Sequence, residues 1–148
     1  MIGSRVVCWD RFKNEHLDEA GVIGKHGVSP ASIPDWLALV GDTADGIPGL
    51  QGWGKASAAK LLTAYGHLDR IPDDPKQWTV AIRGADRLAE TLRTQRADAL
   101  LYRTLATLRT DCPITTDPAA LAWRGPDPEK LDAIAREIGV GSILSERA

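Results

Sequence analysis

Gly41-Asp42-Thr43-Ala44-Asp45-Gly46-Ile47-Pro48-Gly49-Leu50-Gln51-Gly52-Trp53-Gly54-Lys55-Ala56-Ser57-Ala58-Ala59-Lys60-Leu61-Leu62-Thr63-Ala64-Tyr65-Gly66 is the stretch on which the fold turns. Two acids three residues apart, Asp42 and Asp45, precede a run punctuated by Gly49, Gly52 and Gly54. Glycines in a tight turn let the backbone pass close to another chain and leave amides free. An alanine-rich amphipathic segment follows, predicted helical from Ala56 to Ala64 and capped by Gly66. The free amides of its first turn and the positive end of its dipole complete a cradle for an anion. A repeating phosphate backbone is a natural occupant of such a cradle.

The surrounding charge is local rather than global. The 148 residues carry a formal net charge of −2, so no basic field envelops the chain. Ser29 to Asp45 holds three acids and no Lys or Arg, whereas Gly46 to Gly66 holds two lysines and no acid. A negative patch is therefore expected to abut a positive hairpin. The length suits one domain with a modest core. Cys8 and Cys112 lack metal-type spacing and read as two reduced thiols, with Cys8 in the core. His16 and His26 have no third ligand nearby and read as surface or hydrogen-bonding residues. No uninterrupted apolar run is long enough to span a membrane, and the first residues lack a secretory segment.

Periodicity supplies the rest. Arg5 to Trp9 is a strand candidate, and the polar residues after it allow a second short segment. Asp18 to His26 reads as a helix stopped by Gly27. Ser29-Pro30 opens another helix, with Pro34 tolerated early or starting the next, and Trp36 in the core. Leu50 and Trp53 face inward from the hairpin. Leu68 to Ile71 is a short turn or helix, Pro72 to Pro75 a loop, and Trp78 docks on the bundle. Ala85 to Gln95 and Ala97 to Leu108 are helices, the second burying Leu101, Leu105 and Leu108. Arg87 is expected to pair with Asp86 or Glu90 on the surface, the alternative being that Arg83 and Arg87 face phosphate. Trp123 anchors a Pro- and Thr-rich loop. A last helix starts near Asp127-Pro128, buries Leu131, Ile134, Ala135 and Ile138, and ends at Gly139 and Gly141, before a tail that frays.

The order Val28-Ser29-Pro30, Ile33-Pro34-Asp35-Trp36-Leu37-Ala38-Leu39-Val40-Gly41-Asp42, then the glycine hairpin, resembles the carboxyl-terminal part of bacterial 5'-3' exonucleases. That family includes the 5'-nuclease domain of DNA polymerase I and the flap endonucleases. The resemblance covers roughly residues 5 to 112. It implies a mainly α fold: a helical bundle of the SAM-like, helix-hairpin-helix (H3TH) type with a short amino-terminal strand or hairpin. Residues 1–17 would be a β segment at the junction with an α/β domain, 18–112 the DNA-binding helical domain, and 113–148 an extension with one helix.

The resemblance also implies roles. Asp42 and Asp45 would help hold the second metal, Mg²⁺ or Mn²⁺, of a two-metal phosphodiesterase. Their i,i+3 spacing on one helical turn would point both carboxylates one way, and hard oxygen ligands suit these ions. From the pattern alone, an N-cap acid beside a solvated acid explains the pair equally well. Gly49, Gly52, Gly54, Lys55, Ser57 and Lys60 would contact DNA phosphates. Backbone carbonyls of the loop at Ile47, Gly49, Leu50 and Gly52 would bind K⁺. Gly46 departs from the pattern, standing where many of the resembled proteins have Asn. The expected partners are DNA with 5' ends, flaps or nicks and an amino-terminal nuclease half that this chain is expected to lack. The expected setting is cytoplasmic and nucleoid-associated, in DNA repair and replication. The readings left open are part of a nuclease, a non-catalytic DNA-binding module, and a helical protein-interaction domain.

Overall fold

Asp18 caps the first long helix of the chain: its carboxylate accepts from Gly21 N at 2.8 Å, and α1 runs Glu19–His26 until Gly27 turns left-handed. The computed structural model describes residues 2–140. The remaining elements are a hairpin of β1 (Cys8–Asp10) and β2 (Glu15–Leu17), then α2 (Ile33–Val40), α3 (Lys55–Tyr65), α4 (Ala85–Thr94), α5 (Arg96–Ala106) and α6 (Pro128–Glu137), with single 3-10 turns between. The architecture is a mainly helical bundle with a short amino-terminal hairpin, as the sequence implies. By internal packing the chain divides into Met1–Arg109 and Thr110–Ala148.

In the first unit the strands pair antiparallel, Cys8 opposite Leu17 and Asp10 opposite Glu15. β1 starts later than expected because the turn sets the register. Asp10 Oδ1 accepts from Phe12 N and Lys13 N, and Asn14 takes a left-handed φ of 54°. Cys8 is exposed there, not in the core. Pro30 begins a 3-10 turn rather than an α-helix, and Ser29 Oγ lies 3.2 Å from Ser32 Oγ in place of an N-cap bond. Pro34 then sits in the first turn of α2, where a missing amide costs nothing.

The core is built from Leu39 of α2, Leu61 and Leu62 of α3, Leu68, Ile71 and Leu92 of α4, with Trp36, Trp53 and Trp78 closing it. Each fully buried leucine contributes about 1.5–3 kcal/mol of transfer free energy. Ala38, Ala58 and Ala99 are also fully buried, and α2 packs most extensively on α5. Trp78 Nε1 donates to Pro72 O at 2.9 Å, which docks the loop.

α5 presents a different face from the one its leucines suggest. Leu101, Leu105 and Leu108 are exposed, while Ala99 is buried and Leu100 and Tyr102 lie against the core. The half-buried face also carries Arg96 and Arg103. Arg96 donates to Leu68 O, Ile71 O and Asp73, and Arg103 reaches Asp35 and Asp69. Arginine stems cover apolar surface while their heads bond, so a stripe read from leucines alone selects the wrong side.

Asp35 is the centre of this arrangement. It is 1% exposed and therefore contributes nothing to a surface acidic patch. Its Oδ1 accepts from Leu68 N at 3.1 Å and lies 3.4 Å from Arg103 Nη1, and its Oδ2 lies 2.8 Å from His67 Nδ1. One carboxylate thus ties α2 to the turn after α3 and to α5. Arg103 also holds the Asp69 carboxyl below its ordinary range by hydrogen bonding.

In the second unit Asp117 caps the 3-10 turn Pro118–Leu121 and Asp127 caps α6. Of the expected stripe, Ala135 is buried and Leu131 is half-buried, but Ile134 and Ile138 are exposed. Trp123 is 83% exposed, so it is not the buried anchor that the sequence suggests. Gly139 ends the helix at φ 73°, and Gly141 and the tail lie outside the described residues.

Asp35→Ala should destabilise the chain by about 3 kcal/mol, because it leaves a buried amide and a half-buried guanidinium short of a partner. Asp69→Ala, at an exposed pair, should cost less than about 1 kcal/mol. Urea unfolding of both variants checks the order.

Candidate nucleic-acid interface

α2 stops because Gly41 adopts φ 89° and ψ 162°, with its amide still bonded to Leu37 O. The chain then folds back on itself. Asp42 and Ile47 exchange both backbone hydrogen bonds at 2.8 Å, and Gly46 N donates to Thr43 O across the turn. Asp42 therefore closes, and Asp45 sits within, a four-residue turn loop of residues 43 to 46, so the pair is not on a helical turn. The Asp42 carboxylate accepts from Ala44 N at 3.0 Å, and Asp45 is exposed. Gly46 has φ +71°. Gly and Asn are the residues that occupy this region most readily. Its difference from the resembled proteins therefore preserves the turn.

Beyond the turn the backbone crosses its own path. A Cβ built on Gly49 would lie 2.5 Å from Gly41 N and 2.6 Å from the Val40 carbonyl carbon, and φ is +72°. A Cβ on Gly41 would meet Pro48 O at 2.8 Å. Leu50 N donates to Leu39 O just past the crossing, and Trp53 N donates to Leu50 O. Leu50 and Trp53 are buried as expected. Trp53 Nε1 donates to Leu88 O at 3.2 Å, which fastens the hairpin to α4.

Gly54 behaves differently. Its φ is −113° and a Cβ would meet open space, so the turn itself does not require glycine there. It is the N-cap of α3 and offers no side chain to the first turn. The first helical bond is Ala58 N to Gly54 O, so the amides of Lys55, Ala56 and Ser57 lack helical acceptors. Lys55 is exposed beside them. Burial first, then the charges of Lys25 and Lys55, lowers the pKa of His26.

The predicted residues do not all converge. Gly52 and Ser57 line one depression of about 390 Å³ together with Arg83, Gly84, Arg87 and Leu88. Lys60 lines another hollow, with Gly27, Ala59, Thr63, Val80 and Ala81. The sequence favours Arg87 pairing with Asp86 or Glu90, with Arg83 and Arg87 facing phosphate as the alternative. Among the described residues neither forms an ion pair, and Glu90 instead holds Arg93 at 2.7 Å. Their signal in the sequence is that Arg93 competes for Glu90 at i,i+3, leaving Arg87 without that acid.

The carboxylates of Asp42 and Asp45 suit a hard divalent cation in kind but not in number. Among the described residues no group of three or more His, Cys, Asp or Glu is placed to hold a metal. In the carbonyl loop, Ile47 O and Leu50 O each already accept one backbone hydrogen bond.

The fold and the crossing define a helical module that presents a glycine hairpin and an uncapped helix start on one side. Residues 28–129 match the family model described as 5'-3' exonuclease, C-terminal SAM fold. The chain belongs to this 5'-3' exonuclease and DNA polymerase I family. It is 37% identical over 122 residues to DNA polymerase I of Bacillus caldotenax, covering 82% of this chain and 13% of that protein. It is 35% identical to DNA polymerase I of Pseudomonas aeruginosa over 99% of this chain and 16% of the relative. It is 33% identical to the 5'-3' exonuclease of Aquifex aeolicus over 99% of this chain and 47% of the relative. The chain thus spans under half the length of these relatives.

Gly49→Ala should destabilise the fold by about 3 kcal/mol or more, adding backbone displacement to the 1–2 kcal/mol of a left-handed L-residue. Gly54→Ala should stay within about 0.5 kcal/mol of wild type. Thermal melts of the two variants side by side test this.

Proposed function

We propose that this chain binds DNA by its phosphate backbone, at 5' ends, flaps or nicks, as the carboxyl-terminal part of a 5'-3' exonuclease, with residues 18–112 as the DNA-binding part. The observation that carries the reading is the uncapped first turn of α3 beside exposed Gly52 and Gly54. Three amides without helical acceptors, Lys55 and the Ser57 hydroxyl offer donors of the kind a phosphodiester accepts. Gly49 shapes the loop from within, and Lys60 adds charge from one turn further along α3. Open space at Gly54 leaves room for a backbone to approach. Recognition by amides and lysines carries no base information, so the binding is sequence-nonspecific.

The expected outcome is equal affinity for two flapped duplexes of unrelated sequence and identical shape, weakening as salt rises. Anisotropy titrations of the 148-residue chain measure it, and a strong preference for one sequence overturns the reading. Binding by a non-catalytic module predicts the same titrations, and cleavage separates the two.

Asp42 and Asp45 are the residues that would hold Mg²⁺ or Mn²⁺, and carbonyls at Ile47, Gly49, Leu50 and Gly52 would hold K⁺. A divalent ion there would supply charge stabilisation at a phosphate oxygen. Two carboxylates do not fix two cations and an attacking water, so the remaining ligands belong to another segment or chain. The isolated chain should therefore cleave a 5'-flapped duplex negligibly with Mn²⁺. Joined to an amino-terminal nuclease half it should cleave, and Asp42→Asn with Asp45→Asn should abolish that cleavage while sparing DNA affinity. Robust metal-dependent cleavage by the isolated chain would contradict this.

A further inference from the structure

Arg83 and Arg87 stand apart from the arginines that follow them in the same unit. Arg93 holds Glu90, Arg96 holds Asp73, and Arg103 holds Asp35 and Asp69. Arg83 and Arg87 are exposed and, among the described residues, hold no carboxylate. Asp86 lies between them in the sequence but is not among the residues that line the depression they share. Exposed cations left unpaired in a chain of net charge −2 are poised for an anion from outside.

Their position is set by the hairpin. The Arg87 guanidinium lies 3.7 Å from where a Cβ on Gly52 would be, so it sits beside the glycine turn itself. Trp53 holds Leu88 O, one residue along α4, which fixes that turn of helix against the hairpin. The depression is therefore lined both by Gly52 and Ser57 and by the two arginines. Gly84, the N-cap of α4, makes no side-chain cap bond and lines the same depression.

We propose that Arg83 and Arg87 form a second phosphate-contact site, continuous with the hairpin, that grips further phosphates of the same DNA. The proposal rests on the DNA-binding reading above and extends it past α3. A nucleic-acid strand fits better than a small free anion, because the site is a shallow step between two donor surfaces rather than an enclosed hole. Guanidinium forks suit phosphate oxygens, and the paired geometry adds contacts that a lone lysine does not.

The test is anisotropy of the 148-residue chain on one 5'-flapped duplex across a range of KCl. The double variant Arg83→Ala/Arg87→Ala should bind at least about tenfold more weakly, and its salt slope should fall by about 1.8, since each phosphate contact contributes about 0.9. Arg83→Lys/Arg87→Lys should keep the slope while losing part of the affinity. Arg93→Ala, on the same helix but paired, should change neither. If the Ala variant keeps the wild-type slope while Lys55→Ala/Lys60→Ala lowers it, the interface ends at the hairpin and the inference is wrong, although the DNA-binding reading stands. If wild type does not bind the duplex at about 50 mM salt, where phosphate contacts are strong, both fail together.

Discussion

Where residues 41 and 49 pass one another, two stretches of backbone lie closer than any pair of side chains allows. A Cβ at residue 49 would lie 2.5 Å from Gly41 N. Everything on the proposed DNA face depends on that crossing. It ends α2, throws Asp42 to Ile47 outward as a loop, and returns the chain so that Leu50 bonds Leu39 O and enters the core. From Leu50 the direction of α3 is settled within four residues. Trp53 then transmits the position of the hairpin to α4 through its indole. Four elements are placed by one contact that contains no side chain.

The far side of the bundle is organised by opposite means. There a buried carboxylate, Asp35 of α2, gathers an amide and an imidazole from the turn after α3 and a guanidinium from α5. Such a centre gives little net stability compared with apolar packing, yet breaking it is expensive. Its use is specificity of arrangement: α5 docks only in the rotation that brings Arg103 to Asp35 and Arg96 to the carbonyls of Leu68 and Ile71. The same rotation leaves Leu101, Leu105 and Leu108 outward.

This contrast explains what the sequence made legible. The helices, the 3-10 start at Pro30 aside, followed from caps and periodicity that act locally: Asp18 before α1, Pro34 in α2, Gly66 after α3. The hairpin glycines were legible because a backbone crossing has few chemical solutions. What could not be read was pairing across distance. Asp35 looked like surface charge because its partners His67 and Arg103 lie 32 and 68 residues away. Arg87 looked paired because local spacing offered it Glu90, which Arg93 takes. Leucine spacing alone points to the wrong face of α5 because arginine stems do the covering. At the proposed metal residues the identity of the acids was legible, but the β-turn that carries them was not, since Asp42 to Gly46 is equally suited to a helical turn until Ile47 pairs back.

The internal ion pairs have an effect on the field around the molecule. A carboxylate bonded to a guanidinium is, from a distance, a dipole, and its potential dies faster than that of a single charge. Asp35, Asp69, Asp73 and Glu90 are all neutralised in this way by arginines of α4 and α5. What survives to roughly the 8 Å screening distance of physiological salt is the potential of the charges left alone. Around the hairpin those include Lys55, Arg83 and Arg87, with Asp86 and the loop acids Asp42 and Asp45 opposing them. For the proposed DNA partner, a chain that is acidic by composition would therefore offer a small island of attraction with acids beside it, which would orient the encounter before any contact forms.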